Sequence, residues 1–252
     1  MRRLSSASIM AGSPKDPRLN LLAFDTSTDT LSAAVQRGGP HPAAIWRHEA
    51  AGGAQASAAL IPAIEKLLSQ AGLRLAELDA IVFGRGPGSF TGLRTACSVA
   101  QGLAFGAGVP VLPVPTLLAV AEQARLSHGA TRVVAVLDAR MDEIYSAAYA
   151  HHAGRWEQQG DFGLAVPEAL QAPDGWVLAG NAFAAYGARL PGAAACIEAM
   201  PSASALLSLA PALLAAGQAG PAVHALPLYI RDKVAQTSEE RAALRAALPA
   251  RP

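Results

Sequence analysis

The run Phe83-Gly84-Arg85-Gly86-Pro87-Gly88-Ser89-Phe90-Thr91-Gly92-Leu93-Arg94 constrains the fold more than any other stretch of this chain. The apolar residues Ala80 to Phe83 lead into it, and a long small-residue pattern of helical period follows. A strand that ends in glycines and opens a helix presents backbone N–H groups at a positive dipole end, an arrangement that suits an anion such as phosphate. No lysine stands where a Walker loop needs one, and the glycine spacing misses the dinucleotide fingerprint. Two readings of Arg85 and the glycines follow: residual contact with a nucleotide phosphate, or a tight strand-to-helix turn in which Ser89 or Thr91 caps the helix. Gly88-Ser89-Phe90-Thr91-Gly92 also lacks the Gly-x-Ser-x-Gly spacing of a hydrolase elbow.

Turn signals divide the flanking sequence into short elements. Leu21 to Thr26, Leu31 to Gln36 and Ala43 to His48 read as three strands, separated by Thr28-Asp29 and Gly38-Gly39-Pro40. Leu60, Ile61, Ile64, Leu67, Leu68 and Ala71 then line one face of a helix, with Gly72 as its C-cap and Pro62 in the first turn or at a kink. After the strand Ala80 to Phe83 and the glycine loop, a helix is expected to about Phe105 and a strand near Val111. A second unit follows Pro113-Val114-Pro115. It comprises a helix Leu117 to Arg125 capped by Thr116, strands Val133 to Leu137 and Ile144 to Ala150 joined by Asp138-Ala139-Arg140-Met141-Asp142, a strand Trp176 to Ala179, and a helix Ala203 to Ala216. No internal repeat is evident by period. Three meandering strands, then helix, strand and helix, form the half-domain of the actin, sugar-kinase and Hsp70 type. The expected fold is therefore α/β and two-lobed, actin-like, each lobe a mixed sheet flanked by helices. Residues 19–114 form the first lobe, completed by about 226–236, and 115–225 form the second. Residues 1–18 read as a disordered extension and 237–252 as a charged, alanine-rich tail.

Composition narrows the function classes. Hydrophobic residues make up 52% and charged residues 15%, so a packed core is expected rather than disorder. A formal charge of +1 argues against a broad basic face for nucleic acid. Cys97 and Cys196 are the only cysteines, which points to reduced thiols and a cytoplasmic location rather than a disulfide framework. None of the six histidines forms a pair at zinc-protease helical spacing. Ala203 to Ala216 is too short to span a membrane.

Leu22-Ala23-Phe24-Asp25-Thr26-Ser27, the loop Gly84 to Gly92, Leu137-Asp138-Ala139-Arg140-Met141-Asp142-Glu143-Ile144-Tyr145 and Pro227-Leu228-Tyr229-Ile230-Arg231 occur in the order seen in the TsaB family, which this chain resembles from about Leu21 to Val234. The resemblance implies a non-catalytic paralogue of TsaD, working in the synthesis of threonylcarbamoyladenosine next to the anticodon of tRNA. It implies TsaD as heterodimer partner, TsaE as the ATPase that joins the pair, tRNA reached through the complex, and a homodimer through the same helices. ATP and a metal ion then belong to the partners, and this chain needs no cofactor. TsaD holds a metal through a His-x-x-x-His pair; the corresponding stretch here, Ala54 to Leu60, contains no histidine. The alternatives are an autonomous ATPase or small-molecule kinase of the same fold and a metalloprotease-like protein.

Candidate residues follow. Asp25, Thr26, Ser27, Gly84, Arg85, Gly86, Gly88 and Ser89 form a nucleotide or anion loop, or else Asp25 merely closes a turn with its own backbone. Asp138, Arg140 and Asp142 form a charged site or a solvated turn. The helix from Thr91 to Phe105 is apolar or small nearly all round, so both sides need cover. One reading packs it on the helix Leu60 to Ala71. The other, which the family implies, uses both helices to meet the partner subunit, through Leu60, Ile64, Leu67, Leu68, Leu93, Cys97, Ala100 and Ala104.

Overall fold

The computed structural model describes residues 19–39, 43–192 and 195–231; the expected extension and tail lie outside the described residues. Strands β1 (Leu21–Asp25), β2 (Thr30–Arg37) and β3 (Ala44–Ala51) form an antiparallel meander. Helix α1 (Ala56–Ala71), strand β4 (Ala80–Gly84), helix α2 (Phe90–Ala107) and strand β5 (Val111–Val114) complete the first lobe. Its sheet order is β3-β2-β1-β4-β5, with β4 parallel to both β1 and β5. Helix α3 (Thr116–His128) leads to β6 (Arg132–Arg140), β7 (Glu143–His152), β8 (Arg155–Ala165), β9 (Val177–Gly180), the single turn α4 (Phe183–Tyr186), β10 (Cys196–Glu198) and α5 (Ala203–Ala215). The second sheet runs β10-β9-β6-β7-β8. Its antiparallel meander followed by two parallel strands repeats the first sheet, so the internal repeat is one of topology.

The first sheet is apolar on both faces because its central strands are continuous apolar runs. Successive side chains alternate faces. Leu22, Phe24, Ile81 and Phe83 meet α1 and α2, while Leu21, Ala23, Ala80 and Val82 join a core with α3 and α5. Full burial of each such Leu, Ile or Phe contributes about 1.5–3 kcal/mol. Helix α5, the last among the described residues, returns to cover β1, β2 and β4 of the first sheet, whereas α3 packs on β6 and β7 of the second. The two helices then pack on each other, with Ala119, Ala124, Ala203 and Ala210 among the small side chains of that joint core.

Local chemistry accounts for the boundaries. Gly72, Gly108 and Gly129 end α1, α2 and α3 in the left-handed conformation. Pro62 lies inside α1, on its exposed side, rather than in its first turn. Thr116 is the first residue of α3, not its cap; its hydroxyl accepts from Gly86 N at 3.0 Å instead. Strand β8 escapes the apolar-alternation test because it is an edge strand whose first half, Arg155 to Gly160, is largely exposed. Among the described residues no helix is long and apolar enough to cross a membrane.

Candidate functional site

At the C-terminal ends of β1 and β4, the Asp25-Thr26-Ser27 turn and the glycine loop pack directly on each other. A Cβ on Gly84 would fall on Asp25 Oδ2, one on Gly88 would meet the Ser27 carbonyl, and one on Gly92 would fall on the Thr26 carbonyl. These glycines are required by close backbone approach. Four backbone donors of the loop are engaged within the chain, whereas Arg85 Nε is buried with no partner among the described residues. Ser89 N donates to Ser27 O at 2.7 Å, Arg85 N to Val114 O at 2.9 Å, Gly86 N to the Thr116 hydroxyl, and Gly92 N to Ser89 Oγ at 3.2 Å, which makes Ser89 the cap of α2. Thr26 Oγ1 donates to Gly92 O at 2.8 Å. Asp25 is 1% exposed, and its Oδ1 accepts from Ser27 N at 2.8 Å and Ser27 Oγ at 2.6 Å, which is the turn-closing arrangement. Burial raises its pKa from 3.8 to about 6, against the opposing effect of the Ser27 and Thr116 hydrogen bonds.

Between the lobes lies a cleft of about 240 Å³. Of the proposed nucleotide loop, Ser27, Gly88 and Ser89 line it; Asp25, Thr26, Gly84, Arg85 and Gly86 do not. Leu137 to Met141, Tyr145 and Asn181 contribute from the second lobe. The segment from Leu228 to Arg231 also lines the cleft and ties its two sides together. Leu228 N donates to Arg85 O at 2.8 Å, and Tyr229 stacks on Phe90 with centroids 5.8 Å apart. Arg94 lies 3.7 Å over the Phe90 ring and donates from Nε to the Tyr229 hydroxyl at 3.2 Å. Across the cleft, Arg231 Nη2 donates to Ala139 O at 3.1 Å and pairs with Glu143 at 2.7 Å. An ion pair between Arg140 and Asp29, 2.9 Å long, also joins the lobes.

The β6–β7 turn holds Arg140, Met141 and Asp142 at φ of 60°, 57° and 65°. Left-handed backbone in non-glycine residues costs on the order of 1 kcal/mol or more each. Side chains fix the turn: Asp138 Oδ1 accepts from Arg140 N at 2.8 Å and from the Tyr186 hydroxyl at 3.0 Å, while Asp142 and Glu168 both pair with Arg189. The Arg189 hydrogen bonds hold the Asp142 carboxyl below the usual carboxylate range. The charged residues of this turn are therefore ion-paired within the chain. Sequence reasoning missed the roles of Phe90, Arg94, Tyr229 and Arg231; the Pro227–Arg231 motif was a signal without an assigned task.

The helices α1 and α2 have two different sides. Leu60, Ile64, Leu67, Leu68, Leu93, Cys97, Ala100 and Ala104 are each no more than 7% exposed and face the chain's own core. As the chain stands, these eight side chains pack on its own core, the first of the two arrangements that the sequence offers for these helices. Burial pushes the Cys97 thiol up to about 11, consistent with a structural thiol. The outer side instead presents Ile61, Phe90, Arg94, Gln101, Gly102, Phe105 and Gly106. Phe105 is 83% exposed, and a Cβ on Gly102 or Gly106 would meet nothing within 4 Å.

Residues 47–186 match the sequence model of a family described as TsaD, tRNA N6-adenosine threonylcarbamoyltransferase. The chain is 33% identical over 227 residues to the tRNA threonylcarbamoyladenosine biosynthesis protein TsaB of Escherichia coli K12, covering 86% of this chain and 96% of that protein. The TsaB protein of Haemophilus influenzae is 44% identical over 131 residues, 50% of this chain and 52% of its own length. Among solved structures, YeaZ from Pseudomonas aeruginosa is 39% identical, with a TM-score of 0.77, covering 84% of this chain and all of that one. A second Pseudomonas aeruginosa crystal structure, described as a protein with similarity to peptidase YeaZ, gives 39% identity and a TM-score of 0.78 over the same coverage.

Proposed function

The chain belongs to the TsaB family of tRNA threonylcarbamoyladenosine biosynthesis proteins, and we propose that it serves there as a non-catalytic scaffold. In this reading it pairs with TsaD as a heterodimer, TsaE joins the pair, and tRNA is engaged through the complex. The observation that carries the reading is the outer face of α2. Glycine in a helix interior costs about 1 kcal/mol relative to alanine, and at Gly102 and Gly106 nothing among the described residues requires it. Close approach by another helix offsets that cost, and the adjacent, exposed Phe105 supplies an anchor that buries on contact. A second copy of the chain fits the same face when TsaD is absent.

Chemistry is assigned to the partners. Ala54 to Leu60 offers no imidazole to a metal, and among the described residues no three His, Cys, Asp or Glu side chains gather as metal ligands. These facts favour the scaffold over a metalloprotease, and over the transferase activity named by the family model. In this reading ATP and a metal ion belong to the partner subunits, and the loop Gly84 to Gly92 acts as a packed turn.

Phe105→Glu and Gly102→Arg test the interface. Each variant should keep the wild-type circular dichroism spectrum and lose at least tenfold in affinity for TsaD, about 1.4 kcal/mol. Glu157→Lys, on exposed β8, serves as the control and should bind normally. Unchanged binding by both helix variants places the interface elsewhere. For the free chain, ATP hydrolysis should stay at background and millimolar ATP should leave the melting temperature unmoved; a ligand at ~100 times its Kd adds ~2.7 kcal/mol. Robust turnover that is lost in Asp25→Ala would instead establish an autonomous ATPase or kinase.

A further inference from the structure

A second cavity, of about 380 Å³, shares no lining residue with the interlobe cleft and has no part in the scaffold reading. It lies where α3, α5 and the β7–β8 hairpin meet, and its volume falls within the range of small-molecule sites. One wall is aliphatic, formed by Leu118, Leu209 and Leu213. Trp156 and His151 add an aromatic lining, their rings edge to face with centroids 5.0 Å apart.

The charged groups of the cavity are the Glu122–Arg125 pair and Arg155; His151, Ser208 and Gln218 supply its neutral polar lining. Glu122, 2% exposed, accepts four hydrogen bonds. Its Oε1 takes Arg125 Nη2 at 2.7 Å and Ser208 Oγ at 2.6 Å; its Oε2 takes Arg125 Nε and Trp156 Nε1, both at 2.8 Å. The carboxylate is saturated and its charge cancelled, so it neither repels nor recruits a ligand. Burial, together with the nearby Arg125, holds the His151 imidazole below its usual pKa, so it is neutral at pH 7. The Arg155 guanidinium has no hydrogen-bond or ion-pair partner among the described residues and is the charged group of the lining left over from the Glu122–Arg125 pair; the Gln218 amide is neutral. The Trp156–Glu122–Arg125 bonds fix the aromatic lining before any ligand arrives, which reduces the ordering cost of binding.

We propose that this cavity binds a small organic anion with a planar aromatic body, the ring between Trp156 and the leucines and the anionic group on Arg155. Because α3 packs on one sheet and α5 on the other, the occupant bridges elements that belong to both lobes.

The probe is 1-naphthoate, titrated into the full chain while the three indole N–H signals are followed by NMR, with Trp156 identified through Trp156→Phe. Naphthoate should shift the Trp156 signal saturably and leave those of Trp46 and Trp176 in place. The neutral 1-naphthamide, and naphthoate with Arg155→Ala, should each bind about fivefold more weakly, the size of one partly exposed ion pair. Arg155 is an exposed hairpin residue, so that variant keeps its fold. Ala212→Phe, which fills the cavity, should abolish the shift. The proposal is overturned if no saturable shift appears up to about 10 mM, if the amide binds as well as the acid, or if Arg155→Ala binds as the wild type does.

Discussion

Burial holds the Asp25 carboxyl near pH 6 although Ser27 donates two hydrogen bonds to it, so desolvation outweighs them. In the unfolded chain the same group ionises near 3.8. Below 3.8 it is neutral in both states and costs nothing. As pH rises through 3.8 to 6 the unfolded state loses its proton first, and stability falls by on the order of 3 kcal/mol before levelling off above pH 6. Asp25→Asn keeps the acceptor for Ser27 and cannot ionise. It should melt several degrees above wild type at pH 8 and alongside it at pH 4, as differential scanning calorimetry would measure. The Asp-Thr-Ser sequence left open whether this acid orients a ligand or closes a turn. What decided its surroundings was Gly84, distant in sequence, whose missing side chain makes room for the carboxylate.

The glycines of α2 show what a helical pattern can and cannot reveal. Gly92 and Gly102 are equivalent in sequence terms, yet one presses on the Thr26 carbonyl and the other faces open space. Gly92→Ala should destabilise by about 1–3 kcal/mol through overpacking. Gly102→Ala should stabilise by about 0.5–1 kcal/mol through helix propensity. Urea denaturation of the pair measures both. The periodicity of α1 and α2 correctly grouped Leu60 with Ile64 and Cys97 with Ala104, but a small, apolar sequence all round does not say which side meets the sheet. Ala100, fully buried, lies on the inner side. Ala100→Arg therefore drives an unpaired charge into the core and should lose the folded far-ultraviolet spectrum, in contrast to Phe105→Glu. Strand β8 was illegible for the opposite reason: its exposed, polar first half carries no apolar alternation, and its pairing with β7 alone defines it.

At the scale of the molecule, the two sheets share one strand order, a likeness that sequence period does not register because it resides in pairing rather than in residues. The segment from Leu228 to Arg231 adds a clasp between them. Arg231, with its side chain 14% exposed, satisfies Ala139 O and Glu143 together. Arg231→Ala should cost about 1–3 kcal/mol and quicken amide hydrogen exchange in the Arg140–Glu143 turn, where the left-handed backbone depends on that support. Exchange unchanged at this turn would show that Asp138 and Arg189 hold it by themselves.

The return of α5 to the first sheet also governs how the chain is made. The face of the first sheet formed by Leu21, Ala23, Ala80 and Val82 is covered by α5, which is translated roughly 100 residues after β5. At ~5–20 residues per second, a nascent first lobe waits on the order of ten seconds with that face uncovered. During this interval the apolar face should be open to holding chaperones, and a chain truncated before α5 should aggregate rather than fold as a stable half.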